Sequence, residues 1–516
     1  MIVEDQSATV AFLSEPATFG RPGAEVAHIQ THISEVFLVG GDAYKLKRAV
    51  RYDYVDFSTA ERRRRACEAE VAINRRTAPE LYLGVVAVTR DPGGRLALGG
   101  AGTAVDWLVH MRRFDQQDLL DRMARRGALT DDLVAALAEA VVSLHQAAAR
   151  RPDKGGRAGM AWVVESNLAD LAAHAGGPFP AAAVEAYARS ARAAVERLGP
   201  LLDERRADGL VRHCHGDLHL GNICLFRGRP TLFDAIEFND DIACCDILYD
   251  LAFLLMDLMH RGLRPFANRV LDHHVTAIEA DRGLAALPLF LSARAAVRAK
   301  VTVTAAETGA PDPAALIAEA GRYFADARAY LAPGQPRLVA LGGLSGSGKS
   351  TLARRLAPAL EPAPGAVVLR SDVVRKRLFG LAPTERLPEN AYGEETTRRV
   401  YETITRRAAV ILAAGHSVVA DAVFARPHQR RAIAAVAREA GVAFAGLWLA
   451  ASPETLIARV RARAGDASDA DEAVVRHQLA YDVGPLAWPT VDTAGSVEAV
   501  AARVGAALAL DPQPAG

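Results

Sequence analysis

Residues Gly343 to Thr351, reading GLSGSGKST, have the types and spacing that cradle a polyphosphate. Gly343, Gly348, Lys349 and Ser350 fall in the register G-x-x-x-x-G-K-[ST], after the apolar run Leu338 to Leu341 and before a helical pattern. Glycine lets the backbone fold round the anion, so that successive N–H groups across Ser345, Gly346 and Ser347 point inward at a helix N-terminus. Lys349 is expected to reach the β and γ phosphates of ATP and the Ser350 hydroxyl to ligate Mg2+, with Thr351 completing the nucleotide-binding set.

A second constellation lies in Val211 to Leu225, VRHCHGDLHLGNICL. His215-x-Asp217 followed by Asn222 is the H-x-D-x-x-x-x-N order of a kinase catalytic loop. A carboxylate there orients an attacking hydroxyl and accepts its proton, and a side-chain amide holds a magnesium ion. Asp234, at the end of the apolar run Pro230 to Phe233, stands where a second metal-binding aspartate belongs. A third set follows the phosphate loop. Asp372-x-x-Arg375 spaces a base and a cation one helical turn apart, where they could grip an attacking hydroxyl and a neighbouring anion or form a surface salt bridge. Asp421 is placed to orient magnesium or its water, or to cap a helix. Arg459 and Arg463, at i and i+4, suit a lid closing on phosphates or a solvated face.

The elements that must position these groups are legible from periodicity. Val36 to Val39 and Ala43 to Lys47 flank Gly40-Gly41-Asp42 and predict a β-hairpin, with Lys45 and Lys47 on one strand face. Ser58 to Arg76 reads as a helix carrying Glu68 and Glu70, with Arg62 to Arg65 as a solvated face. Leu81 to Val88 returns as a strand. Thr130 onward turns helical, with Leu133, Leu137, Val141 and Leu144 on one stripe and His145 a core histidine; Ala181 to Leu202 is a further helix. After Ala332 to Pro336, a linker rich in proline and glycine, strands at 338–341, 366–369, 417–420 and 445–449 alternate with helices. That alternation predicts a parallel sheet wrapped by helices, with ligands at the carboxyl ends of its strands.

Composition sets outer bounds. A chain of 516 residues exceeds one ordinary core. Lys plus Arg balances Asp plus Glu, 61 against 61, so no global field favours nucleic acid or membrane. Five cysteines without a C-x-x-C pair argue against a disulfide framework and a zinc site, and Cys244 and Cys245 read as buried small hydrophobes. The acidic N-terminus lacks the features of a signal peptide, and Leu248 to Met259 is too short to span a bilayer. The expectation is a cytoplasmic protein without a membrane segment.

HGDLHLGN, FDAIEFND and DILYDLA together resemble the aminoglycoside phosphotransferase-like kinases over residues 25 to 330. That resemblance implies Asp217 as catalytic base, Asn222 and Asp234 as magnesium ligands, Lys45 as phosphate lysine with Lys47 as rival, and Glu70 as helix partner. It further implies that Asp246 and Asp250 tie the loop to the following helix and that Trp107 to Met111 form a hinge meeting adenine through backbone groups; no G-x-G-x-x-G precedes the lysine strand, which leaves the identity of the phosphate lid open, with His32 to Ser34 as its candidate. Ile236 and Glu237 stand where kinases continue DFG, so an impaired or pseudokinase-like, ATP-binding first domain is left open, and the alternative for the chain is an ATP-binding regulatory protein whose degenerate first domain senses ligand and whose P-loop domain acts as the switch. Residues 337 to 507 resemble small P-loop kinases such as gluconate kinase, polynucleotide 5'-kinase and zeta-toxin-like kinases.

The chain is thus expected to be an α+β, bilobal, protein-kinase-like domain over 1–331 (lobes about 25–108 and 112–331), a linker at 332–336, and an α/β P-loop domain over 337–516. The expected activity is transfer of the ATP γ-phosphoryl group, with Mg2+, to a hydroxyl of a small-molecule acceptor. The catalytic set is Asp217, Asp372, Lys349 and Arg375. Nucleic acid is not an expected partner, although a polynucleotide 5'-kinase-like activity of the second domain is the further alternative.

Overall fold

The computed structural model describes residues 2–52, 55–308, 311–382, 385–462 and 467–508. Packing divides the chain into two compact units, Met1–Ser166 with Val195–Asp257, and Asn167–Ala194 with Leu258–Gly516. This division does not fall at 332–336. The helices Arg264–Ile278, Leu287–Glu307 and Pro313–Tyr330 group with the P-loop sheet instead. Proline and glycine mark where the chain can bend, whereas a packing unit is set by which surfaces bury one another.

The first unit is built on a six-stranded antiparallel sheet. Its strands are β1 (Val26–Gln30), β2 (Ser34–Val39), β3 (Asp42–Lys47), β4 (Tyr82–Arg90), β5 (Leu96–Leu98) and β6 (Thr103–Arg112), in the order β1-β2-β3-β6-β4-β5. The β2–β3 hairpin turns at Gly40 and Gly41, with φ of +56° at Gly40, as a two-residue turn between twisted strands requires. Helix α1 (Ala60–Asn74) starts at Thr59, whose side chain accepts from Arg62 N, and buries Cys67 and Val71 against Leu38, Val109 and Met111.

Two expectations change here. Arg63 is not on a solvated face: it is fully buried, with Nε donating to Asp106 (2.7 Å) and Nη1 to Glu4 (2.9 Å), while Arg62, Arg64 and Arg65 pair with carboxylates at the surface. A run of four arginines covers all sides of a helix, so one of them must face inward. Trp107 to Met111 is not a hinge either. It lies inside β6, between β3 and β4, with Val109 opposite Lys45 on one side and Val85 on the other. The sheet ladders use the backbone groups of that central strand, which are therefore not open to a base.

Helices make up most of the rest of this unit. Asp131–Ala147 is capped by Thr130, and His145 is buried at its end, 3.1 Å from Asp250. The helix expected over 181–202 runs from Ala181 to Ala207, and only its part from Val195 onward groups with this unit. All five cysteines are buried and free. Among the described residues no helix is long and apolar enough to cross a membrane.

The second unit carries a five-stranded parallel sheet of β7 (Arg337–Gly342), β8 (Val367–Arg370), β9 (Val418–Asp421), β10 (Ala443–Ala450) and β11 (Thr490–Asp492), in the order β8-β9-β7-β10-β11. Nearly continuous apolar runs, with Leu338 to Leu341 all buried, are what a strand covered on both faces needs. β11 was not expected. It is only three residues long and offers no period to read. Helix α2 (Arg264–Ile278) lies along β8, while α3 (Lys349–Leu356), α4 (Ser371–Leu378), α5 (Glu394–Ala413) and α6 (Pro453–Arg461) complete the layers used below.

Candidate active sites

In the second unit the loop between β7 and α3 turns through three glycines with positive φ, Gly343 (+141°), Gly346 (+84°) and Gly348 (+87°). A Cβ on Gly343 would stand 2.5 Å from the Leu449 carbonyl, and one on Gly346 would stand 2.5 Å from that of Leu456. Glycine is therefore required at both positions by conformation and by space. The Ser345 N–H donates to Gln478 Oε1 (2.7 Å) and Lys349 Nζ donates to the Leu344 carbonyl (2.9 Å), so the loop is held in shape from both sides.

Parallel strands deliver the other groups to the same end of the sheet. Asp421 closes β9 and accepts from Ser350 Oγ at 2.6 Å, and Arg370 Nε, at the end of β8, stands 3.6 Å from that carboxylate. Asp372 follows in the first turn of α4. Burial pushes its carboxyl above the usual range, the Asp421 charge adds to the rise, and a hydrogen bond from Ser468 opposes it. Arg375 does not pair with Asp372; its Nη1 donates to the Ala391 carbonyl (2.7 Å), and the guanidinium lies 5.2 Å from the ring centroid of Tyr392. Lys349, Ser350, Asp372, Arg375, Asp421 and Arg459 all border one cavity of about 1480 Å³. Arg459 donates to Thr493 Oγ1 (3.0 Å) and to its carbonyl (2.7 Å). Arg463 lies outside the described residues. Ser468, Gln478 and Tyr392 belong to no sequence motif, and only folding brings them to the cavity.

The first unit gathers its set on β3, α1 and the loops after Val211. Lys45 Nζ donates to Glu70 (2.9 Å) and to Asp234 (2.6 Å), while Lys47 pairs with Glu70 and Glu237. The two lysines thus share one carboxylate, but they differ in access: the Lys45 side chain is 16% exposed and that of Lys47 is 1% exposed. Burial opposes the charge on Lys45, yet Asp234 and Glu70 outweigh it and raise its pKa well above the ordinary value. Burial likewise pushes the Glu237 carboxyl up against the pull of Lys47.

The catalytic-loop sequence folds as a tightly tied turn. Asn222 Nδ2 donates to the Asp217 carboxylate (2.8 Å) and carbonyl (3.0 Å). Asp250 accepts from the N–H groups of His215 (3.1 Å) and Gly216 (2.8 Å), and Asp246 takes both arms of Arg205 (2.6 and 2.7 Å). Burial lowers the pKa of His215, and a neutral imidazole there donates through Nε2 to the Phe233 carbonyl (2.9 Å). That bond, with the Phe233 N–H donating to the Asn222 carbonyl (3.0 Å), sets Asp234 beside the loop. Asp234 itself has φ of +61°, and its N–H donates to Tyr82 Oη (3.1 Å).

Comparisons with known proteins divide the chain along the sequence rather than by packing unit. Residues 32–287 match the model of the phosphotransferase enzyme family, and residues 338–483 match that of an AAA domain. Uncharacterized proteins of Mycobacterium tuberculosis and Mycobacterium bovis are 32% identical over 481 residues, covering 91% of this chain and 92% of theirs. Among solved structures, a choline/ethanolamine kinase family protein from Mesorhizobium loti covers 63% of this chain and 98% of its own, at 13% identity and a TM-score of 0.38. A gluconokinase from Sinorhizobium meliloti covers 34% and 96%, at 20% identity and a TM-score of 0.24. The chain belongs to one family with the mycobacterial proteins, and it joins a kinase-like phosphotransferase fold to a P-loop kinase fold.

Proposed function

We propose that each fold binds ATP with magnesium and that the second transfers the γ-phosphoryl group to a hydroxyl of a small, anionic molecule. The observation that carries this reading is the meeting, round one cavity, of the loop lysine Lys349, the Ser350–Asp421 oxygen pair, and Asp372 with its raised pKa. Two oxygen donors 2.6 Å apart suit a hard cation, and the buried Ser347 Oγ, which has no hydrogen-bond partner among the described residues, adds an unfilled polar position in the loop. Magnesium held by Ser350 and Asp421 would neutralise charge on the phosphate oxygens.

The rest is work for the chain's own residues. Backbone N–H groups and Lys349 orient the polyphosphate. Asp372 accepts the proton of the acceptor hydroxyl as its oxygen bonds to phosphorus, the bond from phosphorus to the bridging oxygen breaks, and ADP leaves. Arg375, 7% exposed and without a carboxylate partner among the described residues, supports an anionic acceptor. In the first unit, Lys45 with Glu70 and Asp217 with Asn222 and Asp234 would fill the corresponding roles.

Incubating the full chain with labelled ATP and a metabolite panel, and reading phosphorylated products by mass, tests the proposal; ATP binding with no product from any hydroxyl compound overturns it. Once an acceptor of the second site is in hand, Asp372→Asn is expected to lower turnover about 100-fold or more. An ionised base is needed, so turnover should rise with pH through the raised pKa of Asp372. Ser468→Ala, which removes the hydrogen bond that lowers that pKa, should move this limb to higher pH. In the first unit, Asp217→Ala is expected to remove phosphorylation by that site with the far-UV circular dichroism unchanged, and unaltered product formation would count against Asp217 as base.

A further inference from the structure

β8 is an edge strand. It is paired on one side with β9, from Val367 opposite Val418 to Arg370 opposite Asp421, and among the described residues no strand lies on its other side. Backbone groups on an open edge must find partners or attract another chain. Here α2 supplies them. Asn268 Nδ2 donates to the Ala366 carbonyl (2.9 Å), and Asp272 Oδ1 accepts from the Val368 N–H (2.7 Å). Asn268 and Asp272 are four residues apart and so lie one above the other on one helix face. One turn earlier, Arg264 donates to the Leu360 carbonyl (3.0 Å) and the Pro364 carbonyl (3.3 Å), so residues at a spacing of four meet the segment 360–368 in order. Beyond the helix, Asp281 takes both arms of Arg407 on α5 (2.8 and 2.7 Å).

The place of these contacts gives them a consequence. β8 ends in Arg370, 3.6 Å from Asp421, and leads directly into Asp372. The phosphate loop instead follows β7, which is two strands further in. We infer that Asn268 and Asp272 are positioning residues of the P-loop site: they stand in for a sixth strand and hold β8, and through it Asp372, in register with β9. α2 lies within the stretch that matches the phosphotransferase family, yet it completes the acceptor side of the other fold. The inference rests on Asp372 as the acceptor base.

The test uses the full-length chain and two readouts. One is hydrogen exchange of the amides over 366–370. The other is the part of slow ATP hydrolysis that Lys349→Ala abolishes. Asp272→Ala is expected to speed exchange at these amides about tenfold or more. It should also lower kcat about tenfold with KM for MgATP within about twofold, because the nucleotide is held from β7. Asp272→Asn keeps an oxygen acceptor for Val368 and should restore both. Unchanged exchange in Asp272→Ala, or failure of Asp272→Asn to restore it, overturns the inference. If Asp272→Ala does not fold, Asn268→Ala decides by the same exchange measurement. Absence of Lys349-dependent hydrolysis in the parent chain would count against the ATP reading alone, and exchange would still decide whether α2 holds β8.

Discussion

Lys349→Ala is expected to lower phosphoryl turnover at the P-loop site about 100-fold or more, the scale seen when a donor aimed at developing transition-state charge is removed. Phosphoryl transfer leaves little covalent work for the protein, so the rate depends on charge and position. Lys349 opens α3 and is held by the Leu344 carbonyl at 2.9 Å, which keeps its ammonium over the loop before any ligand arrives. The variant should fold normally, because the core below the loop is formed by Leu341, Leu352 and Leu356 and does not involve the lysine head group. Nucleotide binding by the first unit should persist. Titration calorimetry with MgATP on the parent and variant chains checks both parts: one class of site should weaken and the other remain. Loss of both together would show that the sites do not bind independently.

Glu70→Ala should have the largest effect on stability, about 3 kcal/mol or more. Two ammonium groups converge on this fully buried carboxylate, Lys45 at 2.9 Å and Lys47 on the other oxygen. Removing it leaves both lysines with one carboxylate each, Asp234 and Glu237, which places the cost at the lower end of the range for breaking buried pairs. Burial alone would raise the Glu70 carboxyl, but Lys45 and Lys47 hold it down at about 2. A depressed folded-state pKa adds stability that is complete above the unfolded value of 4.5 and is lost as pH falls through about 2. Denaturant melts of parent and variant should therefore differ by a constant amount at neutral pH, and the gap should close below pH 4.5. A gap independent of pH throughout would mean that packing, not charge, accounts for it.

Both chemical signatures were legible because each is local. The residues of a phosphate loop or of H-x-D-x-x-x-x-N are neighbours in sequence, and their geometry is that of one turn. Lys45 and Glu70 could be paired by analogy only, and sequence left Lys47 as an equal rival since both lysines share a strand face. Burial separates them, with Lys45 at the partly open end and Lys47 sealed beneath it. Arg63 and Trp107 were misjudged for a related reason: neither a run of arginines nor a short aromatic segment states which neighbours will surround it.

The sequence by itself determined the two fold classes, the alternation of strands and helices in the second unit apart from β11, and the candidate residues for phosphate, since periodicity and motif spacing are properties of the chain. Tertiary structure alone decided that Ser468 sets the environment of Asp372, that Arg375 turns to Ala391 and Tyr392, and that α2 covers the edge of β8. These are contacts across 16 to 98 residues of sequence, and they depend on which surfaces bury one another, a quantity that no local spacing encodes.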